Sequence, residues 1–302
     1  MTFLKAITND RLLKATIGMS LSKFEELLLA FTQIWNEYVE KQKKNTKGVQ
    51  QWSPRSTHVL GTPRKKLFFL LFMLKVHPTF DLAGLCFGVN RSQTNRWYHE
   101  YLPLLEKTLN EKQVLPKRTI HSAKELLNEL PDAADLFIDG TERPIQKPKD
   151  KEKRKEKYSG KKKRHTEKNL IGTTASGKIV LLGETKPGSH HDMRMLKDSK
   201  WLKKISKKVR IWADSGFQGL KTELSKNEIN IPFKGVKNGV FGNIKREMNK
   251  IMASIRVRVE HTIGHIKRLR CLTDVSRTRK DTTRDRIMLI GCGLHNLQIK
   301  NT

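Results

Sequence analysis

Two short apolar runs in this chain end in the same way, and this shared ending constrains the fold more than any other feature. The run "LFIDGTE" reaches Asp139 and the run "RIWADSG" reaches Asp214, and a glycine follows each aspartate within two residues. A short apolar run bounded by turn-forming residues is typical of a buried strand. Strand ends open onto the edge of an α/β sheet at which ligands bind. The sequence therefore predicts two strands that each present an acid at such an edge.

Further strand and helix patterns surround these two runs. Residues 169–188 read as two strands joined by the turn "ASGK". The helix that follows begins with Ser189 and Asp192, a pair that resembles a capping box. Strands followed by mixed helices indicate one α/β domain over residues 133–300.

The N-terminal part of the chain is predicted to be all helical, with one break. Residues 1–43 carry apolar side chains at helical spacing. Residues 44–61 are polar and interrupted by Gly and Pro, which predicts a linker. Over residues 62–115, Thr62 and Pro63 begin one helix, a second follows Thr79, and a third follows after a short turn. This order predicts a helix-turn-helix domain.

Asn90 is the predicted cap of that third helix, whose first turns would enter the major groove of DNA. Val89 and Trp97 are expected to pack inward, and Pro103 is expected to break or kink the chain. An ordinary three-helix bundle with a basic surface is the alternative. The residues predicted to contact bases or phosphates are Arg91, Ser92, Gln93, Thr94 and Arg96.

The chain is strongly cationic, with 61 Lys and Arg against 30 Asp and Glu and a formal net charge of +31. So many cations are typical of a protein that neutralises the phosphates of a nucleic acid. Membrane surfaces also attract cations, but the sequence has no polybasic helix with an apolar face suited to a bilayer. The charge therefore favours double-stranded DNA as the partner, and charge for solubility alone is the alternative.

Residues 147–168 concentrate this charge, with 12 Lys or Arg against 4 acids. Such a run is usually a solvated loop, but in a DNA enzyme it would follow the phosphate backbone. In the second interpretation Lys161, Lys162, Lys163 and Arg164 contact DNA. The spacing of the run does not choose between the two.

The cysteines and the apolar runs indicate the cellular compartment. Cys86, Cys271 and Cys292 are isolated thiols without a CxxC pair, which argues against a zinc knuckle and a disulfide scaffold. The longest apolar run, residues 67–74, is far shorter than the ~20 residues that cross a bilayer. The first residues lack the apolar core of a signal peptide. We therefore expect a cytoplasmic protein without membrane attachment.

Asp139 and Asp214 would repel each other at neighbouring strand ends unless a cation lay between them. Oxygen ligands without His or Cys suit Mg²⁺ or Mn²⁺ better than zinc. A single aspartate at a strand end is more often a turn former or a helix cap. The repeated setting of these two favours a metal site.

A third acid, Glu260, is expected from "IMASIRVRVEHTIGHIKRLR". At about 100° per residue, a helix here places Arg256, Glu260 and Lys267 on one face. Glu260 would then complete the metal ligands, and the two cations would hold phosphate. The alternation in "IRVRV" also fits a strand, in which Glu260 would be an ordinary surface acid. The apolar stripe of the helix would comprise Met248, Ile251, Ile255, Val259, Ile266 and Leu269.

The motifs "FIDGTE", "YSGKKKRHTEKNL", "PGSHHDMRML", "WADSGFQG" and "RVRVEHTIGHIKRL" resemble the DDE transposases of the bacterial insertion-sequence five family, which are related to the eukaryotic Harbinger transposases. The similarity spans residues 135–298, with a matching helix-turn-helix region upstream. It implies a ribonuclease-H-like catalytic domain, in which a mixed sheet is flanked by helices, with residues 147–168 as a basic insertion.

By this resemblance Asp139, Asp214 and Glu260 are the three catalytic acids and use two Mg²⁺ ions. Members of the family bind the terminal inverted repeats of a bacterial element, cleave the DNA and join its 3′ ends to target DNA. The resemblance also implies a homo-oligomer that works on the nucleoid.

One position departs from the family pattern, because Ala253 stands where a tyrosine is frequent, three residues before Arg256. Two other functions therefore stay open. One is a DNA-binding protein without catalytic activity, derived from a transposase. The other is a metal-dependent endonuclease that cuts DNA without joining it.

Overall fold

A computed structural model of the chain describes residues 9–45, 59–130, 135–235 and 239–299. Most of the predicted linker and residues 131–134 lie outside the described residues. The chain divides into two compact units. The helical unit comprises residues 1–115, 267–274 and 282–302, and the sheet unit comprises residues 116–266 and 275–281.

Helices form the described chain up to residue 129, and strands and helices alternate irregularly after it. The helices are α1 (Asp10–Ile17), α2 (Leu21–Asn45), α3 (Pro63–Val76), α4 (Phe80–Phe87), α5 (Arg91–Glu111), α6 (Ala123–Glu129), α7 (Lys151–Lys157), α8 (Asp192–Asp198), α9 (Leu220–Glu223), α10 (Val240–Ile266) and α11 (Asp281–Gln298). The strands are β1 (Asp135–Pro144), β2 (Tyr158–Ser159), β3 (Arg164–Thr173), β4 (Ile179–Leu182), β5 (Lys186–Pro187), β6 (Arg210–Ala213) and β7 (Ile229–Asn230).

Helices α3, α4 and α5 form the predicted helix-turn-helix, and each begins after the predicted cap. Thr62 accepts a hydrogen bond from the amide of Lys65, and Pro63 occupies the first turn of α3. Thr79 and Asn90 cap α4 and α5 in the same way. The local sequence therefore determines where all three helices start.

The core of the helical unit confirms that Trp97 faces inward. Its side chain is buried, and its ring lies 5.9 Å from that of Phe69 in an edge-to-face arrangement. The expected break at Pro103 is wrong, because α5 continues through it to Glu111. Buried residues on both sides of Pro103, among them Leu102 and Leu104, hold the helix in place.

Helix α11 belongs to the helical unit, whereas the catalytic domain predicted over residues 133–300 includes it, and that domain boundary stays a prediction. The side-chain amide of Asn296 donates to the carbonyl of Val114, and Arg286 pairs with Glu106. Such partners, far away in sequence, are not visible in a local pattern.

The sheet unit contains a seven-stranded mixed sheet in the order β2-β3-β1-β6-β7, with β4 and β5 also paired to β3. Strand β1 is antiparallel to β3 and parallel to β6, which is parallel to β7. Strands β3 and β4 form the predicted hairpin, and Gly177 in its turn has a φ of +86°, which favours glycine.

The two faces of the sheet are covered by different helices. Leu136 and Ile138 of β1 share one hydrophobic core with residues of α8 and α9. Phe137, which points to the opposite face, stacks on Trp212 and shares a second core with residues of α10. Because side chains alternate along a strand, Asp139 belongs to the face that α10 covers.

The predicted helix around Glu260 is confirmed as part of α10, and the strand alternative is wrong. Its apolar stripe is shifted from the expected one, since Met252, Val259 and Ile266 are buried whereas Met248 and Ile251 are exposed. The expected positions Lys267 and Leu269 lie beyond the end of the helix. Hydrophobic spacing alone does not tell which turns of a long helix extend past the sheet.

Candidate active site

Asp139 and Asp214 are brought together by the pairing of β1 with β6. Ile138 lies opposite Ala213 in this parallel pair, so the next residue on each strand is one of the two aspartates. Asp139 directly follows Ile138 within β1, and Asp214 caps a short 3₁₀ turn after β6. The two acids therefore lie on adjacent strands, as predicted. The predicted strand end at Asp139 is wrong, because pairing with β3 continues β1 through Asp139 to Pro144.

Each of the two carboxylates is held by its own backbone. Oδ1 of Asp139 accepts a hydrogen bond of 2.7 Å from the amide of Gly140. Oδ1 of Asp214 accepts one of 2.7 Å from the amide of Gly216. The side chain of Asp139 is thus oriented by the next amide of its own strand, and that of Asp214 by the turn that follows β6.

Burial raises the pKa of Asp139 to about 6, because the charged form is poorly solvated there. The amide of Gly140 lowers this pKa, the negative charge of Asp214 raises it, the positive charge of Arg256 lowers it, and the negative charge of Asp192 raises it. Asp139 therefore lies among two other acids and one cation.

Asp192 is a residue of this cluster that the sequence analysis assigned to capping. It is the first residue of α8, whose N-cap, His191, makes no side-chain capping hydrogen bond. Its carboxylate instead lies beside the backbone of Gly140 and Gly216. The motif "PGSHHD" could have indicated that Asp192 belongs to the site. An acid in the first turn of a helix is nevertheless common, because it interacts favourably with the helix dipole.

Helix α10 brings Arg256 to the site, while Glu260 is exposed on the next turn. Nε of Arg256 is buried and has no hydrogen-bond partner among the described residues. In the described part of the chain, no three His, Cys, Asp or Glu side chains lie close enough together to hold a metal ion. The structure thus brings together two of the three predicted acids, and Glu260 remains a prediction.

The sequence matches known protein families in both of its parts. Residues 138–296, which include all three predicted acids, match the family described as DDE superfamily endonuclease. The chain belongs to this family. Residues 58–111 match the helix-turn-helix of DDE superfamily endonucleases. The resemblance seen in the sequence is confirmed at the level of the DDE superfamily.

One similar protein is described as a probable transposase for insertion sequence element IS702, from Microchaete diplosiphon. It is 27% identical over 279 residues, which cover 92% of this chain and 94% of that protein. No solved structure matches the chain.

The predicted DNA-contacting residues of α5 divide into two groups. Arg91, Ser92 and Arg96 are exposed, and Gln93 is half-buried. Thr94 is fully buried, and its hydroxyl donates to the carbonyl of Asn90. The predicted contact of Thr94 with DNA is therefore wrong, because this position faces the core of the helical unit.

The basic segment, residues 147–168, forms mostly ordered secondary structure rather than a loop. It forms α7, which Asp150 caps, then β2 and the beginning of β3. Lys157, at the end of α7, is buried and pairs with Glu167 and Asp281. The four predicted contacts Lys161, Lys162, Lys163 and Arg164 are exposed around the turn between β2 and β3.

Asp139 within β1 and Asp214 at the end of β6 fit a hard divalent cation. Two carboxylates lie side by side, one of them with a pKa raised by burial and by the charge of the other. Each has one oxygen bound to a backbone amide, which leaves the second oxygen for a ligand. Carboxylate oxygens are the ligands that Mg²⁺ and Mn²⁺ prefer, and a cation would relieve the repulsion.

The described part of the chain contains no helix that is both long and apolar enough to cross a membrane.

Proposed function

We propose that this chain is a transposase that binds the terminal inverted repeats of an insertion sequence, cleaves the DNA with divalent metal ions and transfers the 3′ ends to target DNA. The observation that carries the proposal is the pair Asp139 and Asp214 on the adjacent strands β1 and β6 of a chain in the DDE superfamily endonuclease family. The similarity to a probable insertion-sequence transposase over nearly the whole chain supports it.

The proposal includes a ribonuclease-H-like catalytic domain. The sheet supports this assignment, because an antiparallel set built on β1, β3 and β4 continues through β1 into the parallel strands β6 and β7. Helices cover both of its faces. Membership of the insertion-sequence five branch belongs to the same proposal.

Asp139, Asp214 and Glu260 would hold two Mg²⁺ or Mn²⁺ ions. When bound, such ions activate the attacking water or 3′-hydroxyl and stabilise the leaving oxygen. Glu260 must move towards the two aspartates to share a ligand with them, since the three acids do not form a metal-binding cluster among the described residues. We propose that DNA binding causes this movement of Glu260.

The cations of the chain would hold and orient the DNA. Arg256 presents its guanidinium beside Asp139, where it can bind the phosphate that reacts. Lys267 is proposed as a second phosphate contact. The exposed residues Arg91, Ser92 and Arg96, together with Gln93, would bind the terminal repeat, and the exposed residues 161–164 would bind the DNA backbone. Two ends are joined in one reaction, so we propose a homo-oligomer.

Cleavage of terminal-repeat DNA by the purified full-length protein tests this function. We expect nicking with Mg²⁺ or Mn²⁺ and none with a chelator. Asp139→Asn and Asp214→Asn should abolish it, while Asp198→Asn, an exposed acid on α8, should not. A second assay with precut ends should give strand transfer. Cleavage by either active-site variant at the wild-type rate would contradict the assignment.

A DNA-binding protein without catalytic activity is the second candidate. The exposed position of Glu260 favours it, because only two of the three predicted acids meet in the structure. This candidate predicts a protein that shifts terminal-repeat DNA but never nicks it with either metal. Nicking without strand transfer would instead indicate an endonuclease that does not join ends.

A further inference from the structure

The carboxylate of Asp192 occupies space that two glycines leave open. A Cβ atom at Gly140 would lie 2.7 Å from Oδ1 of Asp192, closer than real contacts allow. A Cβ atom at Gly216 would lie 3.2 Å from Oδ2 of the same side chain. Gly140 directly follows Asp139, and Gly216 is two residues past Asp214. One side chain thus touches the backbone behind both aspartates.

Asp192 is fixed in this place by Lys168 of β3. Nζ of Lys168 lies 3.1 Å from Oδ1 of Asp192 and 3.6 Å from Oε1 of Glu142. It also donates to the carbonyl of His190, just before α8. Glu142 and Lys168 are partners in the β1–β3 register, so the sheet itself determines where this ammonium group lies.

The positive charge of Lys168 does not fully neutralise the acids around Asp139. Lys168 is shared between Asp192 and Glu142, whose side chains are 19% and 7% exposed. The negative charge of Asp192 still acts on Asp139. Repulsion among three neighbouring acids lowers the stability of the metal-free protein, and a bound cation would relieve it.

We propose that Asp192, held by Lys168, is a positioning residue that fixes the backbone at Gly140 within β1 and at Gly216 after β6. It thereby sets the separation at which Asp139 and Asp214 present their free oxygens to a divalent cation. The inference rests on the proposed function, because it assumes that these two aspartates bind metal. Asp192 acts through the two glycines and need not touch the ion. A side chain at Gly140 would collide with the carboxylate of Asp192, and one at Gly216 would crowd the carboxylates of Asp214 and Asp192.

A purely structural role is the competing explanation, since an acid in the first turn of α8 also interacts favourably with the helix dipole. Such a role predicts a change in melting temperature without a change in metal affinity. Isothermal titration of the full-length protein with Mn²⁺ alone separates the two. Asp198→Ala, at the other end of α8, is the matched control.

We expect Asp192→Ala to weaken Mn²⁺ binding by about 10–100-fold, the usual effect of removing a group that supports metal ligands. Asp192→Asn keeps the shape of the side chain and should lose less, and it serves as the test if the Ala variant does not fold. The Mn²⁺ concentration that gives half-maximal cleavage should rise by the same factor, with a smaller fall in kcat at saturating metal. Wild-type Mn²⁺ affinity in both folded variants would overturn the proposal.

Failure of the proposed function gives a different result. If Asp139→Asn and Asp214→Asn bind Mn²⁺ like the wild type, the assignment of the metal site is wrong. If they lose binding while the Asp192 variants keep it, only the role of Asp192 is wrong.

A second measurement tests the contact itself. Gly140→Ala should lower the melting temperature by a few degrees, because its methyl group meets the carboxylate of Asp192. In an Asp192→Ala background the same change should cost much less, since the space is then open. Strictly additive effects of the two changes would show that the carboxylate does not lie against Gly140, and would overturn the proposal.

Discussion

Arg256 on α10 lies close enough to Asp139 on β1 for its positive charge to lower the pKa of that carboxyl, although burial keeps the pKa at about 6. Replacing Arg256 by Gln removes the opposing charge, and we therefore expect the pKa of Asp139 to rise further. Carboxyl ¹³C chemical shifts followed with pH in the metal-free protein measure this directly. Arg258→Gln, two residues along the same helix, is the control and should leave the pKa where it is. An unchanged pKa in Arg256→Gln would show that the two side chains are apart in solution.

Asp139 should also make the stability of the metal-free protein depend on pH. Its pKa is raised from 3.8 to about 6, so the folded state binds this proton more tightly than the unfolded chain does. The stabilising contribution is fully present below the unfolded pKa of 3.8 and is lost as the pH rises through 6. Asp139→Asn should therefore be more stable than the wild type at pH 8, by about 2–3 kcal/mol from the size of the shift.

Chemical denaturation of the two proteins at pH 4 and at pH 8 checks this expectation. The difference between them should shrink at the lower pH. A difference that stays constant between these pH values would contradict a raised pKa at position 139.

The buried pair of Lys157 and Glu167 should contribute to folding of the sheet unit. Their side chains are 10% and 2% exposed, with Nζ 2.8 Å from Oε1. Lys157→Ala removes the ammonium group that pairs with a buried carboxylate, so we expect a loss of about 3–5 kcal/mol in the free energy of unfolding. Lys153→Ala, exposed on the same helix, should change it by less than about 0.5 kcal/mol. Equal denaturation midpoints for the two variants would mean that Lys157 is not buried in solution.

The two exposed arginines of α5, Arg91 and Arg96, should each contact either a phosphate or a base edge of the bound DNA. Arg91→Ala and Arg96→Ala should each weaken binding of terminal-repeat DNA. Where the arginine binds a phosphate, its removal should lower the slope of log affinity against log salt by about one. Lys41→Ala on α2 removes the same charge elsewhere and is the control. Fluorescence anisotropy across a salt series gives both quantities.

Thr94 offers a contrast on the same helix. Thr94→Val should lower the stability of the helical unit and leave the salt dependence unchanged, because the hydroxyl is buried and bonded to Asn90. A change of sequence preference in this variant would place Thr94 at the DNA after all.

Features encoded by neighbouring residues were predictable from the sequence. The caps Thr62, Thr79 and Asn90 use side chains three residues from their partners, so the helix-turn-helix followed from local chemistry. Asp139 and Asp214 were recognisable because each ends its own apolar run. Their proximity was expected from neighbouring strand ends, but β1 continues past Asp139, and the pairing of Ile138 with Ala213 is what brings the two acids together.

Features that depend on distant partners were not predictable. Asp192 resembled a capping residue because Lys168 and Gly140, which give it another role, are 24 and 52 positions away in the sequence. Thr94 has a polar side chain, and only the packing of α5 shows that it is buried. The C-terminal helix α11 joins the helical unit through Val114 and Glu106, which no pattern within its own sequence indicates.

The most direct test of the metal site is the anomalous diffraction of a crystal of the protein soaked with Mn²⁺. The account predicts an anomalous peak bound by oxygens of both Asp139 and Asp214, at about 2.0–2.3 Å from each. Absence of a peak there at saturating Mn²⁺, or a peak bound elsewhere in the sheet unit, would contradict it.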